Sequence, residues 1–224
     1  MSKLWKTDEE LFGIAKKELF PALVGDVLDK MGFYHQFLPA NIKPLSPGMV
    51  VIGRAMPVLE TDVSGDTMID KPFGLMFDAL DSLRENEVYI CSGASPSYAL
   101  WGGLMSTCAR FLKAAGAVVN GYSRDTNEIL TLQFPTFSMG GYAQDQGVRG
   151  RVIAYATPVE FGGISVCPGD IVYGDRDGVL IVPQKVVEEA FTGAIQKARE
   201  EHNVRNALLE GMRSAEAFEK FKIM

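Results

Sequence analysis

Histidine is nearly missing from this chain, with His35 and His202 the only two among 224 residues. So few imidazoles leave a Ser-His or Cys-His mechanism little to recruit as a general base. Cysteine is also sparse: Cys91, Cys108 and Cys167 are odd in number, widely spaced and without a CxxC pair. That pattern excludes a disulfide framework and a structural zinc site, and predicts reduced thiols within apolar strands or helices. Basic residues are in deficit, 22 against 28 acidic, for a net charge of −6, which argues against general binding to nucleic acid or an anionic membrane. No apolar run approaches the roughly 20 residues that span a bilayer. The opening MSKLWKTDEELF lacks an apolar signal core, which predicts a cytoplasmic protein. Also missing are the GxGxxG of a dinucleotide fold, the Gly-Lys-Ser/Thr of a phosphate loop and an S-adenosylmethionine-type glycine loop after the first strand. Neither an internal repeat nor a low-complexity segment is present.

What remains is an ordinary globular composition, 47% apolar and 22% charged, long enough for one domain over 1–224 with a substantial core. Thr7 with Glu10 three residues on is a capping box, opening a helix to about Leu19. Pro21 opens a second, with Leu23, Val24, Val27, Leu28 and Met31 on one face and Gly32 as its stop. After a Pro-rich connection over 38–47, residues 49–52 and 54–59 read as buried strand around Gly53. Lys71 to Arg84 carries Phe73, Met76, Phe77, Leu80 and Leu83 at helical spacing, a core-facing stripe. Residues 88–91 form a short strand, and 92–103 a small-residue loop. Residues 126–132 read as one or two helical turns, and 136–138 as a further strand. Beyond Gly150 short strands joined by Gly-Gly, Pro-Gly-Asp and Asp-Gly turns predict antiparallel hairpins, then a charged helix over 185–209 stopped by Gly211. Parallel strands and helices lead, and hairpins trail.

The stretch WGGLMSTCARFLKAAGAVVNGYSRDTNE (101–128) carries the chemistry. If 104–115 is a helix and 117–120 the next parallel strand, residues 121–125 return to the edge where that helix begins. Ligands in open α/β sheets bind outside the carboxyl ends of the strands, and a helix start offers free N–H groups to an anion. Arg124 adds a planar fork for a carboxylate, and Asp125 a hard oxygen for a divalent metal. The other polar clusters read more plainly. Asp175-Arg176-Asp177-Gly178 lacks the remaining ligands of a calcium loop and is a hairpin turn. Glu200, Glu201, His202 and Arg205 make a charged helix face, solvated or reaching into a neighbouring subunit.

This stretch, followed by GGISVCPGDIVYGDRDGVLIVP (162–183), resembles the family of class II pyruvate aldolases and regulators of ribonuclease E activity. Its members include 4-hydroxy-4-methyl-2-oxoglutarate and 4-carboxy-4-hydroxy-2-oxoadipate aldolases, and many carry the label of dimethylmenaquinone methyltransferase. The resemblance runs from about Pro21 to Phe221. It implies an α/β fold of the swivelling α/β/β type, with a parallel core, antiparallel hairpins and flanking terminal helices. It also implies homotrimers or homohexamers, with the helix over 185–210 at the subunit interface and a Mg²⁺ or Mn²⁺ site there. On that resemblance Arg124 holds the pyruvate carboxylate and Asp125 is the direct metal ligand. Gly102, Gly103 and the amides of Leu104 and Met105 cradle the pyruvyl unit. Glu128 supports the metal through water, and Glu201 reaches the site from the adjacent subunit. One departure stands out: aldolase members generally carry Asp or Glu at the position of Gly103, where it orders a water used in proton transfer. Asn120, where Asp is frequent, is a milder change.

The expected activity is therefore a metal-dependent lyase that cleaves a 4-hydroxy-2-oxo acid or decarboxylates oxaloacetate through a pyruvate enolate. The alternative is a non-catalytic ribonuclease regulator on the same fold, which Gly103 favours.

Overall fold

The computed structural model describes residues 4–64 and 72–222. Two helices, α1 (Asp8–Glu18) and α2 (Pro21–Lys30), precede a short strand β1 (Lys43–Pro44) and the long β2 (Val51–Asp62). Then come α3 (Met76–Asp81), β3 (Glu87–Ser92), β4 (Ala99–Trp101), α4 (Gly103–Phe111), β5 (Gly116–Val119), β6 (Tyr122–Ser123), α5 (Thr126–Leu132) and β7 (Thr136–Ser138). The trailing part is β8 (Gly150–Tyr155), β9 (Val159–Phe161), β10 (Ile164–Val166), β11 (Ile171–Gly174), β12 (Val179–Val182), α6 (Val187–Leu209) and α7 (Ser214–Phe221).

Alternation along the strands sets the layers, because successive side chains leave a strand on opposite faces. In β2, β3, β5, β11 and β12 one set of positions (Ile52, Met56, Tyr89, Cys91, Val119, Tyr173, Leu180) packs against helices. The other set (Val51, Ala55, Val88, Ile90, Val118, Val172, Ile181) packs against the β9–β10 hairpin. The result is three layers: helices, a main sheet, and a hairpin. The helical layer holds two clusters, α1, α2 and α6 over β11 and β12, and α3, α4 and α5 over β3 and β5.

The main sheet has eight strands in the order β1-β7-β5-β3-β2-β11-β12, with β8 also on β2. β2, β3, β5 and β7 are mutually parallel, and β1, β11 and β12 join antiparallel. β2 is long enough to hold two partners along one edge, β11 at 51–54 and β8 at 58–62, with a register shift at Leu59/Glu60. A separate parallel pair, β4 and β6, carries the site.

Local chemistry matches most of the expected elements. Thr7 caps α1 by accepting from Glu10 N–H at 3.2 Å, while the Glu10 carboxylate accepts from Lys6 N–H rather than from Thr7. Gly32 and Gly211 follow α2 and α6 at φ +87° and +99°, the left-handed turn that stops a helix. Three expectations need correction. The helix expected over 71–84 is only six residues long. Lys71 lies outside the described residues, and the backbone of 73–75 is spent on β8: Leu75 N–H donates to Val152 O and Val152 N–H to Phe73 O. Gly74, at φ +63°, makes that approach, since a Cβ there would sit 2.3 Å from the Val152 carbonyl oxygen. The loop expected over 92–103 contains β4. Cys167 is exposed at a turn rather than in the core, although all three cysteines are free thiols as expected.

Glu60, on the helix-facing side of β2, is 1% exposed and accepts a thiol contact from Cys91 at 3.8 Å. Burial pushes its carboxyl up to about 8, with Tyr98 and Cys91 only partly opposing. The native state therefore keeps a proton that the unfolded chain releases above about pH 4.5, so this group makes stability fall as pH rises from there to about 8. Urea unfolding across that range should show a contribution of up to about 1.4 kcal/mol per pH unit. Glu60→Gln should remove it; an unchanged slope would place the carboxyl in a more hydrated setting.

Candidate active site

The β4–α4 turn is fixed from beneath by Trp101. Its ring lies 4.9 Å from Tyr89 and 6.0 Å from Phe134, centroid to centroid, and its indole N–H donates to Ser106 Oγ at 2.7 Å. Ser106 in turn donates to Gly102 O, and Thr107 Oγ1 to Gly103 O. These bonds hold the first turn of α4 closed on itself.

Beside that turn β6 delivers Arg124 and Asp125. Arg124 N–H donates to Trp101 O at 2.9 Å, so the two segments meet as the crossover argument requires. Asp125 takes the left-handed conformation (φ 58°, ψ 37°) as the N-cap of α5, a conformation an L residue other than Asn or Asp seldom adopts. It turns the carboxylate back toward α4, where Asp125 Oδ2 accepts from Gly103 N–H at 3.1 Å. The same oxygen lies 3.6 Å from Arg124 Nε, and Arg124 Nη1 is 2.9 Å from Asp145 Oδ1. Ser106 N–H closes onto Gly102 O. Among the described residues no hydrogen bond engages the amides of Leu104 and Met105, so they remain for an anion.

The geometry changes the meaning of Gly103. A Cβ on this residue would lie 2.1 Å from Glu128 Oε2 and 3.2 Å from Asp125 Cβ. The room a side chain would take at the start of α4 is thus occupied by the carboxylate of Glu128, from the first turn of α5. A carboxylate is present at this point, supplied from another element. A Cβ on Gly102 would likewise stand 2.9 Å from Asp125 Oδ2, so both glycines let acidic groups approach the helix start. Asn120 is structural, its side-chain amide donating to Ser92 Oγ at 3.1 Å.

Arg124, Asp125, Glu128, Gly102, Gly103, Leu104 and Met105 are brought together; Glu201 is not. It sits on α6, 3.5 Å from Lys197, which also pairs with Asp26. Among the described residues no ion pair or hydrogen bond joins Glu201 to Arg124 or Asp125. Two neighbours went unread in the sequence. Asp145 and Gln146 come from a loop with no periodicity, and their only signal is the polar, glycine-flanked run QDQG.

Among the described residues no three His, Cys, Asp or Glu side chains converge on one point as a ready-made metal cage. Two partly open carboxylates nonetheless suit Mg²⁺ or Mn²⁺, which keep several waters and take one or two carboxylates plus substrate oxygens. The donor set fits such an ion through Asp125 and, at one remove, Glu128.

A fold of this kind with this site defines a class before it defines a reaction, and comparison with known proteins agrees. The chain belongs to the RraA-like family described as Aldolase/RraA, whose model matches residues 22–181. It is 27% identical over 203 residues to protein DlpA of Legionella pneumophila, covering 89% of this chain and 32% of that protein. It therefore spans about a third of DlpA's length. A Halalkalibacterium halodurans protein provisionally named a 4-hydroxy-4-methyl-2-oxoglutarate aldolase is 27% identical over 182 residues, covering 81% of this chain and 82% of that one. The crystal structure of Streptomyces coelicolor RraAS2, described as an unusual member of the RNase ES inhibitor RraA family, superposes with a TM-score of 0.76 at 23% identity, covering 90% and 98%. That likeness shows the fold.

If Gly103 is bare so that Glu128 can stand beside Asp125, the two positions act as one. Gly103→Ala and Glu128→Ala should each weaken Mn²⁺ binding, followed by calorimetry, roughly 10-fold. The double variant should bind no worse than either. Additive losses would show that the two positions act independently.

Proposed function

We propose that this protein is a divalent-metal-dependent lyase that releases pyruvate from a 4-hydroxy-2-oxo acid and decarboxylates oxaloacetate. The observation that carries the reading is the convergence of Arg124, Asp125 and the start of α4, joined by the bond from Gly103 N–H to Asp125 Oδ2. Arg124 and the amides of Leu104 and Met105 bind the substrate carboxylate, the guanidinium by its planar fork and the amides by their partial positive charge. Asp125 and Glu128 would hold Mg²⁺ or Mn²⁺, which when bound serves as a Lewis acid toward the 2-oxo group. Arg124 orients the C3–C4 bond by fixing the carboxylate, and Asp145 steadies Arg124. Glu128 stands beside the α4 start where a proton-carrying water is needed. Among the described residues no lysine lines the site, which favours this route over a Schiff base.

In this reading the working unit is a homotrimer or homohexamer, with Glu201 delivered by α6 of a neighbouring copy. Its separation from Arg124 within one chain supports that arrangement, as do the apolar Leu104 and Phe111, both 85% exposed on α4. No helix among the described residues is long and apolar enough to cross a membrane, in keeping with a cytoplasmic enzyme. A second reading, a non-catalytic ribonuclease regulator, draws on the bare position 103 and on the RNase ES inhibitor family of RraAS2. The carboxylate of Glu128 in that space favours the lyase.

Mg²⁺-dependent oxaloacetate decarboxylation tests the proposal. Asp125→Ala and Arg124→Ala should each reduce kcat/KM by roughly 10²-fold or more, in line with loss of a group that stabilises developing charge. Turnover that survives chelation, or no turnover of oxaloacetate or any 4-hydroxy-2-oxo acid, would favour the regulator.

A further inference from the structure

The anion site opens into a cavity of about 400 Å³. The pyruvyl unit has six heavy atoms, and at a liquid-like volume of about 30 Å³ each it fills less than half of that space. The remainder faces α3 and the β4–α4 turn, where Phe73, Met76, Phe77, Leu80, Leu100 and Met105 make the wall. Charge in the cavity is one-sided. Among the described lining residues Arg124 is the one cation, and the other charged groups, Asp81, Asp125 and Asp145, are acidic. Arg124 already stands at the 2-oxo acid end with Asp145 at 2.9 Å. A second carboxylate on the substrate would meet apolar side chains and Asp81, with no cation among the described lining residues to offset the hydration it gives up there. One polar group of the wall is unspent: Gln146 is 5% exposed, and its Nε2 has no partner among the described residues.

From this, and resting on the lyase reading, we infer that the substrate is a 4-hydroxy-2-oxo monocarboxylate whose C4 substituent is apolar, alkyl or aryl, seated against α3. The C3–C4 bond of R–CH(OH)–CH₂–CO–COO⁻ breaks and the hydroxyl proton leaves as C4 becomes the carbonyl carbon of R–CHO. The bonding pair passes to the pyruvate enolate, and C3 takes up one proton to give pyruvate. The products are pyruvate and an apolar aldehyde.

The test pairs turnover with binding, using the whole protein with Mg²⁺. Pyruvate release from 4-hydroxy-2-oxo-4-phenylbutanoate is compared with that from 4-hydroxy-4-methyl-2-oxoglutarate, and calorimetry compares phenylpyruvate with 2-oxoglutarate. Both readouts should favour the aryl compound by roughly 10-fold or more, and Phe77→Arg, which places a cation on the wall, should bring the two classes within a few-fold. Equal or better cleavage and binding of the dicarboxylates would overturn the inference while leaving the lyase reading intact. No cleavage of either substrate, with phenylpyruvate still the tighter ligand, would keep the apolar pocket and sink the lyase reading. If Phe77→Arg changed the sedimentation of the protein but not its ligand preference, the wall would be a contact between copies, and the inference would fall.

Discussion

A single hydrogen bond, from Gly103 N–H to the Asp125 carboxylate, ties together the starts of two helices that belong to different strands of the chain. Everything acidic or basic in the site is placed relative to it. It requires the left-handed backbone at Asp125, which aims the side chain at α4 instead of at the start of its own helix. Bare glycine at 102 and 103 leaves room for it, because a side chain at either would have to displace the carboxylate of Asp125 or Glu128. Helix starts attract anions by their free amides and dipole. Here one amide is committed to a protein carboxylate and the next two have no partner among the described residues, so the same turn presents a carboxylate at Asp125 and open amides at Leu104 and Met105.

The sheet supplies the rigidity that makes this placement hold. β3 and β5 are parallel and buried on both faces, and their carboxyl ends fix the height at which 120–125 emerges. Trp101, clamped between Tyr89 and Phe134, anchors the neighbouring β4. A site built on such supports moves little, which suits chemistry that depends on stabilising charge as it develops. The opposite face of the sheet is covered by the β9–β10 hairpin, which lies away from the site.

The parts legible in sequence are those coded locally. Thr7, Pro21, Gly32 and Gly211 mark helix ends through capping and turn chemistry. The short apolar runs at 88–91, 117–119 and 179–182 mark buried strands, and the order of helix, strand and Arg124-Asp125 suffices to bring residues 102–105 and 124–125 to one edge. The illegible parts depend on contacts made at long range. β4 is three residues whose strand character comes from pairing with β6, and α3 loses its first turns because Gly74 and its neighbours pair with Val152. The Asp145 ion pair and the unpartnered Gln146 come from a loop whose position no periodicity encodes. The resemblance to aldolases singles out Gly103, but only the three-dimensional packing shows that Glu128 fills its space.

If a cation on Asp125 and an anion on Arg124 and the α4 amides share one site, the two ligands should be thermodynamically coupled. Oxalate, a planar dianion shaped like the pyruvate enolate, reads this directly when titrated with and without Mg²⁺. Each ligand should tighten the other by roughly 5-fold or more in the wild type, and the coupling should vanish in Asp125→Ala. Oxalate affinity that is indifferent to Mg²⁺, or coupling that survives Asp125→Ala, would contradict the account.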